Sequence, residues 1–197
     1  NRPSRPRNPA SNQKLLTAAA ALWRLGPGFR AETRFEGALE RGKVETLVVR
    51  PGGDPTLSYA SLVSFAETVR LRGVQTVDRI VIDEGYFDDQ ILPPAFDQQP
   101  GEAASFRAAI SALSIQRNSY LVYIKPGFAV GGPAQVRVLA DGYVKIDNET
   151  LTTRGGPPSP RIEHRLTDDG HLEVHVEGNI PSQVRTLHYR RRVPDPK

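Results

Sequence analysis

The sequence has no cysteine and no methionine among its 197 residues, and a single tryptophan. The missing cysteine excludes disulfides, thiol nucleophiles and thiolate-bound zinc. It leaves the compartment open, because a cysteine-free chain suits oxidising and reducing surroundings alike. The missing methionine leads us to expect that Asn1 follows a processed or excised segment, with any signal peptide removed alongside it. Long apolar runs are lacking too. Nothing approaches the roughly 20 residues that a membrane-spanning helix requires, so the chain is expected to be soluble, with membrane association of the whole protein left open. No internal repeat is visible.

Charge of one sign is also scarce. The 26 basic and 22 acidic residues leave a net charge of +4, with arginine bunched near the two ends at Arg2, Arg5 and Arg7 and at Arg190, Arg191 and Arg192. Such clusters can meet phosphate, but no aromatic interleaving or nucleic-acid motif accompanies them. They are read as solvated chain ends, and no nucleic-acid partner is expected. A chain of this length can bury one substantial core, or one domain plus part of another, without staples.

What is present is a mixed pattern. Residues 11–25 form an apolar, helix-favouring stretch of Leu15, Leu16, Ala18 to Ala21, Leu22, Trp23 and Leu25 that stops at Gly26-Pro27-Gly28. Its apolar residues cover most of the helix circumference, so it is expected to be buried in something larger. Residues 33–40 and 44–50 read as a hairpin turning at Arg41-Gly42. Residues 62–71 show helical spacing up to Gly73, and 79–83 read as a strand. An irregular, proline-containing connection spans 85–109. Beyond it, 120–125, 134–139, 143–147, 161–167, 171–177 and 186–193 are candidate strands, with Asp168-Asp169-Gly170 as a turn. The expected fold class is mixed α/β (α+β): a helix followed by a β-rich region.

Three groups of residues invite chemistry. Ser11-x-x-Lys14 places a hydroxyl and an amine on one helical face, where lysine can draw the proton from a serine nucleophile and the helix amino terminus favours a developing alkoxide. The lysine must then be largely neutral, which needs burial or a neighbouring cation. Taken alone, this spacing reads more readily as a helix cap followed by a solvated lysine. Gly52-Gly53-Asp54-Pro55 lacks the lysine and the glycine spacing of a phosphate loop and reads as a turn capping the next helix. His171, Glu173, His175 and Glu177 alternate along one strand face. Without an evident further ligand they read as a solvated polar face, so no metal and no cofactor is expected.

The text around the serine decides between the two readings of Ser11 and Lys14. Residues 9–33, PASNQKLLTAAAALWRLGPGFRAET, resemble the active-site helix of class C low-molecular-weight penicillin-binding proteins, the D-alanyl-D-alanine carboxypeptidase/endopeptidase family. Further segments match in order: GGDPTLSY at 52–59, VDRIVIDEGYFDD at 77–89, LPPAFDQQPGE at 92–102, ISALSIQRNS at 110–119, VEGNIP at 176–181 and YRRRVPDP at 189–196. The resemblance covers nearly the whole chain. It implies a serine acyl-transfer enzyme that removes the terminal D-Ala from peptidoglycan stem peptides, cleaves peptide cross-links and is acylated by β-lactams. Ser11 matches the nucleophile and Lys14 the general base. It further implies a periplasmic or otherwise extracytoplasmic location.

The resemblance also divides the chain. Residues 1–33 correspond to the amino-terminal piece of the transpeptidase-like catalytic domain, 34–193 to an accessory insertion and 194–197 to the return toward the catalytic part. The family completes its site with Ser-x-Asn and Lys-Thr-Gly elements, and neither arrangement occurs here; Ser111 and Ser114 have no Asn in the required place. We therefore expect an excised region that is nearly inert alone. Asp97 and Glu102 lie in a loop that some members place near the substrate's diamino acid, but ordinary solvation is the expectation for both. The alternative reading is a non-catalytic envelope module that binds peptidoglycan or protein through its β-rich face.

Overall fold

In the computed structural model, which describes residues 6, 8–94, 96, 103–139 and 142–195, the chain divides into two units, Asn1–Glu32 and Thr33–Lys197. The first unit holds α1 (Gln13–Leu25), entered through a single 3-10 turn, Ala10–Asn12. The helix ends where Gly26 turns to φ 80° and its N–H caps the Leu22 carbonyl at 3.0 Å, the left-handed exit that glycine makes without steric cost. Here every residue of α1 is exposed, Trp23 at 88% and Leu15 at 71%. A unit built on one helix has nothing of its own to bury an apolar surface against.

The second unit begins with a mixed sheet. β3 (Lys43–Arg50) is flanked on one edge by β1 (Arg34–Glu36) and β2 (Leu39–Glu40), both antiparallel, and on the other by β4 (Thr76–Ile82), parallel. Parallel neighbours need a crossover, and here it is α2 (Tyr59–Leu71). The hairpin at Arg41-Gly42 is present, but its first arm is two strands and not one. Glu36 lies opposite Val48 whereas Leu39 lies opposite Val44, so β3 carries one more residue over this interval, as in a bulge. Gly37 sits at the break, where a Cβ would come within 2.7 Å of Val44 Cγ1 and 3.0 Å of the Thr46 carbonyl oxygen.

The cap of α2 also differs from expectation. Asp54 Oδ1 accepts from Thr56 N at 2.8 Å and from Thr56 Oγ1 at 2.7 Å, closing a local turn. The helix itself is capped by Ser58, whose Oγ accepts from Ser61 N at 3.2 Å while Ser61 Oγ accepts from Ser58 N at 3.3 Å. This is a reciprocal capping box with serine in place of the usual glutamate.

Two three-stranded sheets complete the unit. β10 (Leu187–Arg192), β5 (Ser119–Lys125) and β6 (Gln135–Val138) form an antiparallel sheet in that order. In the other sheet β9 (Leu172–Pro181) lies between β7 (Val144–Thr153), parallel to it, and β8 (Arg161–Leu166), antiparallel. The inward faces of both make one core: Tyr120, Val122 and Ile124 from β5, Val138 from β6, Ile162 from β8, and Leu172, Val174, Val176 and Ile180 from β9.

β7 and β9 each run further than the sequence suggests. In β7 the added residues include Thr150 and Thr152, which are fully buried with their hydroxyls satisfied. Thr150 Oγ1 donates to the Val176 carbonyl at 3.1 Å and Thr152 Oγ1 accepts from Gly127 N at 2.8 Å. In β9, Gly178 and Pro181 look like terminators. Gly178 has φ +100° and a Cβ there would stand 2.3 Å from the Ser159 carbonyl oxygen, so the glycine admits a close crossing without ending the strand.

A part-buried polar pair borders this core. Tyr120 Oη and His164 Nδ1 lie 2.6 Å apart. Burial, then the charges of Arg192 and Arg191, lower the His164 pKa from its usual 6.5. The unfolded chain therefore binds more protons at this site than the folded one as pH drops below 6.5, so the His164 contribution to stability is present above that pH and is lost on acidification toward its folded pKa. In an NMR titration the His164 ring is expected to show a midpoint below 6.5. A His164→Asn variant should lose less stability than the parent between neutral and mildly acidic pH. A midpoint at or above 6.5 would refute the assignment.

Candidate active site

Ser11 and Lys14 come together where the 3-10 turn meets α1. Pro9 accepts from Asn12 N at 3.0 Å, Asn8 Oδ1 accepts from Ala10 N at 2.9 Å, and Ala10 takes a positive φ of 45°. These contacts start the turn one residue before the serine. Ser11 is therefore inside the 3-10 turn, and the N-cap position falls to Asn12, which makes no side-chain cap. The serine hydroxyl is left to another partner: Lys14 Nζ donates to Ser11 Oγ at 3.4 Å. Both residues are exposed. The pair stands at the amino-terminal end of a 13-residue helix, where unsatisfied backbone N–H groups and the helix dipole favour negative charge.

This arrangement can do one thing chemically. A hydroxyl in hydrogen-bond reach of a lysine becomes a nucleophile when the amine is neutral and takes its proton. As Lys14 stands here it is exposed to solvent.

Sequence reasoning overlooked one polar constellation in the second unit and one member of another. Around 111–118, Asn118 Nδ2 lies 2.9 Å from the Ala109 carbonyl oxygen, 2.9 Å from Ser111 Oγ and 3.1 Å from Ser114 Oγ, while the Glu84 carboxylate accepts from Ala112 N at 2.9 Å and Leu113 N at 3.3 Å. Asn118, together with Gln116 and Arg117, has positive φ. This is backbone strain of a kind that local contacts must hold in place. The serines of this segment are thus tied to an asparagine, but one at 118 that fixes the loop. The second constellation lies on β9. His175 and Glu177 do share its outer face, and Glu149 of β7 lies beside them, so that donor atoms of the three are within 4.8 Å of one another. No local sequence signal brings Glu149 there, because the β7 to β9 pairing spans 28 residues. Asp97 and Glu102 lie outside the described residues.

A model of the D-Ala-D-Ala carboxypeptidase 3 (S13) family matches residues 1–197. The D-alanyl-D-alanine carboxypeptidase of Actinomadura sp. (strain R39) is 34% identical over 199 residues, covering 95% of this chain and 36% of that protein. Among solved structures, penicillin binding protein 4 (dacB) from Haemophilus influenzae superposes with a TM-score of 0.72 at 21% identity, over 94% of this chain and 41% of that one. The same protein complexed with a β-lactam superposes with a TM-score of 0.62 over 94% of this chain and 39% of that one. At that identity the superpositions establish the α+β fold alone. The chain therefore spans well under half the length of the relatives that it matches.

Proposed function

Because the chain belongs to the D-Ala-D-Ala carboxypeptidase 3 (S13) family, we propose that it supplies the nucleophile helix of a serine-type D-Ala-D-Ala carboxypeptidase/endopeptidase, with Ser11 as nucleophile and Lys14 as general base. The observation that carries this reading is the 3.4 Å contact between Lys14 Nζ and Ser11 Oγ at the head of α1, in the segment whose sequence matches the active-site helix of such enzymes. In the proposed reaction, Ser11 Oγ attacks the carbonyl carbon of the penultimate D-Ala of a peptidoglycan stem peptide and its proton passes to Lys14. The C–N bond breaks and the same proton goes to the departing D-Ala amine. Water then hydrolyses the Ser11 ester. A β-lactam follows the first half of this path, its ring amide taking the place of the scissile bond.

The proposal keeps the division given by the resemblance: 1–33 as catalytic-domain piece, 34–193 as accessory insertion and 194–197 as the return. Donors for the oxyanion and for the substrate carboxylate then belong to parts of the relatives not covered here. Peptidoglycan substrates place the protein outside the cytoplasmic membrane. No helix of the described residues is long and apolar enough to cross a membrane.

The test is release of the terminal alanine, of either configuration, from a stem peptide ending in D-Ala-D-Ala and from an otherwise identical peptide ending in D-Ala-L-Ala, with the full-length protein. We expect release from the first and not from the second. Binding of the peptide without release would instead favour a non-catalytic envelope module.

A further inference from the structure

The outer face of the sheet β7-β9-β8 is charged, and its cations are spent at the margins. Lys145 Nζ pairs with Asp169 at 2.8 Å, Arg165 pairs with Glu173, and Arg161 holds Glu163 at 2.6 Å while reaching Glu177 only at 3.5 Å. The middle of the face is left with three carboxylates around one imidazole. The parallel register sets Asp147 beside His175 and Glu149 beside Glu177, and the period of two along each strand turns all four the same way. Among the described residues no cation pairs with Glu149. Like charges gathered this closely repel one another, with Arg161 reaching only Glu177 and at 3.5 Å, and a bound cation would relieve that cost.

We propose that Glu149, His175 and Glu177 form a divalent-cation site of the zinc class that ties β7 to β9, with Asp147 as a positioning residue for the imidazole. Donor atoms of the three ligands already lie within 4.8 Å of one another. Ligands on one tetrahedral zinc ion stand about 3.3 Å apart, so binding would draw the three side chains closer together. The hydrogen bond of 2.8 Å between His175 Nδ1 and Asp147 Oδ2 orients the ring, and in the metal-bound form would keep the proton on Nδ1 and leave Nε2 to present the lone pair. Metal-bound histidines are commonly oriented by a carboxylate in this way. One imidazole with two carboxylates suits zinc better than calcium or magnesium, which prefer oxygen alone. This reading departs from the solvated polar face that the sequence suggests, and the third ligand from β7 is the reason.

The test uses the full chain, stripped with a chelator and titrated calorimetrically with zinc chloride. We expect one ion per chain and a raised melting temperature in its presence. His175→Ala and Glu149→Gln should each weaken binding about ten-fold or more, and Asp147→Ala by about ten-fold, with circular dichroism confirming that each variant is folded. His188→Ala should bind as the parent does. In ring-nitrogen NMR spectra, zinc should shift His175 Nε2 in the parent chain, whereas in Asp147→Ala the shift should be divided between Nδ1 and Nε2. A merely structural role for Asp147 would not produce that change. Undiminished zinc binding by His175→Ala, or calcium bound as tightly as zinc by the parent, overturns the proposal, as does failure to bind zinc at about millimolar concentration.

Discussion

Replacing Ser11 by alanine in the full-length protein is expected to abolish covalent labelling by a penicillin, because no other group takes over the bond-forming oxygen. Lys14→Ala should leave the serine in place but slow acylation by on the order of a hundred- to ten-thousand-fold, the usual worth of a positioned general base. Mass spectrometry of the labelled protein checks both: the parent should carry the acyl group on the tryptic peptide containing Ser11, and label on any other serine would reject the assignment. The 197-residue chain alone is expected to label very slowly. Its Lys14 is solvated, and loss of even one preorganised oxyanion donor typically costs about a hundred- to a thousand-fold in rate. Rapid stoichiometric labelling of the chain alone would show that residues 8–32 hold a more complete site than the exposed 3.4 Å pair implies.

The largest stability effect is expected at Leu172, which opens β9 and is 1% exposed in the core shared by the two three-stranded sheets. Leu172→Ala removes three carbons from a site walled by residues of both sheets, and such truncations cost about 2–5 kcal/mol according to how far the surroundings collapse. Urea unfolding followed by fluorescence or circular dichroism measures it, with the midpoint falling and the slope unchanged. A loss well under about 1 kcal/mol would mean that the site relaxes fully or that the strand is not part of the cooperative core. By contrast, truncating Leu15, 71% exposed on α1, removes no packing within this chain and should leave the unfolding of the second unit unmoved.

Much of this was legible in the residues. The helix up to Leu25, the hairpin turn at Arg41-Gly42, the helix and strand that follow, and most of the later strands can be read from local periodicity and from glycine and proline punctuation, because these are properties of neighbours in sequence. The match to the serine-lysine helix and the ordered motifs after it point to the family. The rest was decided by contacts between residues far apart. Gly37 divides a strand in two because Val44 and Thr46 lie against it. Thr150 and Thr152 extend β7 because Val176 and Gly127 satisfy their hydroxyls, whereas polar residues in a sequence read as loop. Gly178 continues β9 where composition signals a stop, since the Ser159 carbonyl passes where a side chain would be. Glu149 joins His175 and Glu177 only through a parallel pairing that no adjacent residue announces. Periodicity reports which face a residue takes on its own strand, but the neighbouring strand and its register are set by how the whole core closes.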